Sequence, residues 1–133
     1  MILTEANKTF ETEVFKLTVH QSGLAELLLK HNTVFDTKDI IEGKKFITEF
    51  LNGKKAFILL ELEGDAYTTK EARELAASPN HATHHGAIAF SSNKLAYKIL
   101  GNMYIKINRP TAPTRFFNNR KEALHWLNSF ILS

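Results

Sequence analysis

Cysteine is absent from this sequence, which excludes disulfides and thiolate-based zinc sites. Proline is scarce, at three residues in 133, and Pro110 and Pro113 mark one extended connector. No apolar run approaches the roughly 20 residues that a bilayer-spanning helix needs. The opening Met-Ile-Leu-Thr-Glu-Ala-Asn lacks the basic and then apolar regions of a secretory leader. A cytoplasmic protein without a membrane span is the expectation. Acidic residues are nearly missing from one region: 79–133 carries seven Lys/Arg and a single acid, Glu122, whereas 1–78 carries 10 Lys/Arg and 13 Asp/Glu. That polarity would either steer an anionic partner or hold two parts of one domain together. The cations are scattered rather than clustered, which favours the second.

Catalytic signatures are missing as well. The chain has no Gly-x-Ser-x-Gly, Walker loop, Gly-x-Gly-x-x-Gly or His-Glu-x-x-His. No nucleic-acid motif or interleaved aromatic-basic stripe is present. The expectation is therefore a protein that is not an enzyme, carries no cofactor and binds no nucleic acid.

What remains is ordinary globular material, 44% apolar and 23% charged. A chain of this length suits one domain over 1–133, which buries roughly two-thirds of its unfolded surface. Phe10 to His20 alternates like a half-buried strand, and Gln21-Ser22-Gly23 turns it into the apolar run Leu24 to Lys30. Asp36 and Asp39 open a helix, with Phe35 and Ile40 at staple spacing and Asn52-Gly53 closing it. Ala56 to Leu62 reads as a central strand buried on both faces. Thr68 and Glu71 have capping-box spacing before a short helix that Ser78-Pro79-Asn80 ends.

Gly86 to Phe90 reads as an inner strand, and Leu95 to Ile107 as a helix with Leu95, Ile99, Met103 and Ile107 on one stripe. Arg115-Phe116-Phe117 is a short last strand. Asn119 and Glu122 start a terminal helix with an apolar face of Ala123, Leu124, Leu127, Phe130 and Ile131. The order ββαβαβαβα predicts an α/β fold, a mixed five-stranded sheet with about four helices.

That order resembles the STAS-like superfamily, and within it the bacterial SpoIIAA-like domains. The stretches that carry the likeness are Ala87-Ile88-Ala89-Phe90, Leu100-Gly101-Asn102-Met103-Tyr104-Ile105-Lys106-Ile107-Asn108-Arg109-Pro110, and Pro113 to Leu127 with its Arg115-Phe116-Phe117 strand and Glu122-Ala123-Leu124-His125-Trp126-Leu127 helix. The resemblance implies a non-enzymatic regulatory module that binds a protein partner. Members of the antagonist branch carry a phosphorylatable serine in an Asp-Ser pair at a helix start. The matching Asp65-Ala66-Tyr67-Thr68-Thr69 offers hydroxyls but no such pair. Relatives that transfer lipid imply an alternative, a carrier or sensor of a small anion, nucleotide or lipid.

Two sets of residues follow as candidates. Ligands of open α/β sheets sit beyond the strand carboxyl ends, where helix N-termini attract anions. There Asp65, Thr68, Thr69, Ser91, Ser92, Asn93 and Lys94 form a candidate anion pocket, although Thr68, Ser91 and Ser92 would serve equally as helix caps. A helix apolar around much of its circumference needs a cover. Met103, Tyr104, Ile105, Ile107 and Arg109 are accordingly the candidate interface with an unknown protein partner or a second copy. His81, His84 and His85 lie in a loop without the spacing of a metal site, and no metal is expected.

Overall fold

The computed structural model describes residues 7–133, without the side chains of 82 and 83; most of the opening stretch examined for a leader lies outside them. Eight strands and four helices follow the order β1 (Asn7–Glu11), β2 (Phe15–His20), β3 (Leu24–Leu29), β4 (Val34–Phe35), α1 (Thr37–Leu51), β5 (Ala56–Leu62), β6 (Tyr67–Thr68), α2 (Lys70–Ala77), β7 (His85–Ser91), α3 (Leu95–Asn108), β8 (Thr114–Phe117) and α4 (Arg120–Ile131). A 3-10 turn, His81–His84, precedes β7.

The mixed sheet has six strands rather than five, in the order β1-β2-β3-β5-β7-β8. Its first three strands pair antiparallel and the remainder parallel. The additional strand arises because Phe10 to His20 is two strands. The Thr12 hydroxyl accepts from the amides of Val14 and Phe15, both at 3.1 Å, and so folds a turn into what alternation alone reads as continuous. A separate parallel pair joins β4 to β6 and brings the start of α1 beside the start of α2.

Two apolar layers result. On one face Phe15, Leu17, Val19, Ile58 and Ile88 meet Ile40 and Leu51 of α1 and Ala72 of α2. On the other, Leu59, Ala87 and Ala89 meet Ala123 and Leu127 of α4. β5 lies between β3 and β7 and supplies both layers, which accounts for its unbroken apolar run. α1 begins at an Asp36–Asp39 capping box and ends with Asn52 in the left-handed region at φ 52°, as the sequence predicts.

Glycine has a steric role at two places in β7 and α3. A Cβ on Gly101 would sit 2.8 Å from the Phe116 ring, so α3 approaches the sheet closely there. A Cβ on Gly86 would sit 2.3 Å from the Phe57 ring. Gly86 also marks a register shift: His85 pairs with Ala56, but Ala87 pairs with Phe57. Simple alternation would put His85 with Ala87 and Ala89 on the α4 face. The extra residue instead turns it to the face shared by Ile58 and Ile88, a re-aiming that bulges commonly provide.

Candidate functional site

The two loops chosen for the anion pocket do meet. Lys94 Nζ donates to the Gly64 carbonyl at 3.2 Å and lies 3.9 Å from the Asp65 carboxylate. The Tyr97 hydroxyl donates to the carbonyls of Gly64 and Ala66, the second at 3.2 Å. The hydroxyls nearby are already engaged. Thr69, rather than Thr68, is the N-cap of α2, accepting from the Ala72 amide at 3.0 Å and donating to Asp36 at 2.9 Å. Thr68 lies in β6, where Arg73 Nη1 donates to its carbonyl and hydroxyl. Ser92 Oγ accepts from the Lys94 amide at 3.1 Å, Ser91 is buried at the end of β7, and Asn93 is exposed. At the start of α2 the Thr69 hydroxyl is thus committed to the Asp36 carboxylate, which itself caps α1. The Asp36 carboxyl is kept below its ordinary value, chiefly by the Thr37 amide and then by the Thr69 hydroxyl.

α3 divides its apolar residues in an unexpected way. Tyr104 turns inward and meets Phe90 edge-on with ring centroids 5.7 Å apart; burial pushes its hydroxyl up to about 12. Leu95, Ile99, Met103 and Ile107 remain 70%, 53%, 50% and 68% exposed. Leu100 is exposed as well, Ile105 is half-buried, and Arg109 caps the helix from the left-handed region at φ 48°. Lys94, Lys98, Lys106 and Arg109 supply all the formal charge of this segment, and no acid falls between Glu74 and Glu122.

Beneath α1, α2 and α3 lies a cavity of about 170 Å³. Ile58, Leu60, Ile88, Phe90 and Leu100 contribute to its apolar wall, and Lys44, His81 and His85 contribute a polar one. Leu60 and Phe90 keep partial exposure although their strands are interior to the sheet, because the cavity admits solvent above them. His81 and His85 meet edge-on, ring centroids 5.2 Å apart. Burial lowers both imidazoles to about 4, with the Lys44 charge adding to it. Both are neutral at pH 7. His84 is exposed. Among the described residues no group of three or more His, Cys, Asp or Glu converges as metal ligands would.

The family model for a domain of unknown function, DUF7793, matches residues 19–131. The chain belongs to that family. DUF7793 therefore covers every strand of the parallel part of the sheet and all four helices. Among solved structures, this DUF7793 domain is similar to an uncharacterized protein of the DUF3478 family with a SpoIIAA-like fold from Shewanella loihica PV-4. The two are 14% identical over 92% of each chain, with a TM-score of 0.56. At that identity the likeness concerns the fold, which is SpoIIAA-like. No curated protein matches the chain.

Sequence reasoning about this DUF7793 domain singled out His81 and His85 but missed the cavity that they line, for one reason. Composition places His81 and His85 in a polar loop, and only the Gly86 bulge brings the second ring inward. Leu95, Ile99, Met103 and Ile107 were legible as a stripe but not as an outward one. The signal was Gly101: a residue without a side chain marks the face that lies against Phe116 and Phe90. The described residues contain no helix long and apolar enough to cross a membrane.

Proposed function

We propose that this domain is a non-enzymatic interaction module that docks through α3 onto a protein surface with an apolar centre and an acidic rim. One observation carries the reading: Leu95, Ile99, Met103 and Ile107 stay at least half exposed on a helix whose opposite face is seated against the sheet. Side chains of this size gain roughly 1.5–3 kcal/mol when buried completely. Four of them, half to two-thirds exposed, retain on the order of 4–8 kcal/mol. Association costs about 4–15 kcal/mol, so the stripe by itself supports only a weak contact. Lys94, Lys98, Lys106 and Arg109 supply the additional attraction, and it is for acids. The same four cations disfavour a second copy of the chain as the partner, because a two-fold axis along α3 would set like charges together.

Ser91 and Ser92 do not pair with His85 for hydrolysis. Ser91 and Ser92 lie at one end of β7 and His85 at the other, about 20 Å away at the usual rise per residue.

The test is a photo-crosslinker at Asn102, an exposed α3 position, in the otherwise native chain and in an Ile99→Glu/Met103→Glu variant. The expected result is one protein crosslinked only by the former, with acids flanking an apolar patch, at unchanged circular dichroism in the variant. Identical crosslinks from both forms would overturn the reading. A concentration-dependent dimer in sedimentation, abolished by the same variant, would overturn it in favour of self-association.

A further inference from the structure

We propose that the cavity beneath α1, α2 and α3 is a binding site for a small uncharged molecule with a compact apolar body, about the size of a single ring. This goes beyond docking through α3 and stands without it. Protein interiors are close-packed and seldom keep an apolar space larger than a water molecule. An engineered apolar cavity of about 150 Å³ takes up benzene, and this one measures about 170 Å³. Its floor is the sheet, through Ile58, Leu60, Ile88 and Phe90. The partial exposure of Leu60 and Phe90, on strands interior to the sheet, marks a way in from solvent.

The roof shows that the space is built in. There α1 presents Gly43, α2 presents Ala72 and Ala76, and α3 presents Gly101. Glycine destabilises a helix interior relative to alanine, so each glycine calls for a reason. At Gly101 packing supplies it, because a Cβ would sit 2.8 Å from the Phe116 ring. At Gly43 packing does not. A Cβ there would meet only Leu17, at 3.8 Å, which is an ordinary contact, and the residue is not among the glycines of positive φ. Gly43 lines the cavity, so a larger residue at this position would take up the space that the ligand needs.

The wall also selects against charge. Its three charged residues are engaged with the protein itself. Asp39 accepts from the Asp36 amide at 2.8 Å, Lys44 Nζ donates to the Asn80 carbonyl at 3.2 Å, and Arg73 Nη1 donates to the Thr68 hydroxyl at 2.9 Å. His81 and His85 are neutral at pH 7. His85 Nδ1 has no partner among the described residues, but it is buried and offers a ligand no surface. An ion entering this space would give up its hydration without a partner to replace it. An uncharged ring or short branched chain gives up nothing of the kind.

The experiment titrates benzene and benzoate into the full chain and follows the methyl resonances by NMR. Submillimolar benzene should give saturable shifts of the Ile58, Leu60 and Ile88 methyls and leave those of Leu59 and Leu127, in the layer under α4, in place. Benzoate at the same concentration should shift none of them. Gly43→Leu, at unchanged circular dichroism, should lose the benzene shifts. Gly43→Ala is the milder form; it should weaken benzene and raise the urea midpoint, since alanine is the better helix residue. The absence of cavity shifts in the native chain at millimolar benzene would overturn the site. Equal shifts with benzoate would overturn its restriction to uncharged molecules. Benzene shifts that persist undiminished in both Gly43 variants would overturn its location. None of these results bears on the α3 crosslink, so the two readings fail separately.

Discussion

The Thr69 hydroxyl joins two helices through one atom. It accepts from the first turn of α2 and donates to the Asp36 carboxylate that caps α1. Thr69→Ala removes both bonds, and loss of an N-cap typically costs about 1 kcal/mol. Urea unfolding of the variant should show a lower midpoint with an unchanged slope, and Thr69→Ser should recover most of the loss. The Asp36 carboxyl should titrate higher in the alanine variant, since one of the two bonds that hold it down is gone. An unchanged midpoint would mean that the β4–β6 pairing alone holds the two helix starts together. The spacing of Thr68 and Glu71 predicted the cap one residue early. The capping-box spacing favours Thr68, because Thr69 has Ala72 rather than an acid three residues on; the pairing of Phe35 with Thr68 places Thr68 in a strand and leaves the cap to Thr69.

At the scale of elements, helices and inner strands were legible because each carries a period or a cap that depends on near neighbours. α1 is the clearest case, with the capping box and the Asn52-Gly53 stop both present. Features that depend on distant neighbours were not legible. β4 and β6 are two residues each and exist because they find one another across 33 positions of chain. The outward stripe of α3 reads like an inward one until Gly101 is seen against Phe116.

The candidate site was legible only in part. Lys94 and Asp65 come together as expected, but the cavity depends on the turn of a single ring. Gly86→Ala tests that dependence. Its Cβ would enter the Phe57 ring, and overpacking of this kind costs about 1–3 kcal/mol. The variant should unfold at lower urea and shift the His85 ring resonances. If stability falls and those resonances stay in place, the bulge does not set the ring's direction.

For the whole molecule, the two oppositely charged parts of the chain turn out to be stitched together. Arg120 at the start of α4 pairs with Glu26 of β3 and Glu61 of β5, and Lys94 lies near Asp65. Glu26 also meets His20 at 2.6 Å. These contacts engage two of the seven cations of residues 79–133, and such exposed pairs contribute little individually. Stability should depend on pH mainly through the buried imidazoles. His81 and His85 titrate at about 4 when folded and near 6.5 when unfolded. Between those values the unfolded chain binds protons that the folded chain excludes, so their contribution is complete above about pH 6.5 and declines toward pH 4. The urea midpoint should fall from pH 7 to pH 5, and less steeply in His85→Gln. An equal midpoint at both pH values would show that neither ring is held neutral.

The position of α4 also orders events in time. The hairpins of β1, β2 and β3 close over a few residues, whereas the parallel pairs wait for whole helices to pass between their strands. α4 comes after every strand of the sheet it covers. A chain emerging from the ribosome can therefore complete the layer beneath α1 and α2 while Leu59, Ala87 and Ala89 still face water. During that interval the opposite side of the nascent sheet is a sticky surface, and Arg120, reaching back to β3 and β5, is the latch that ends it.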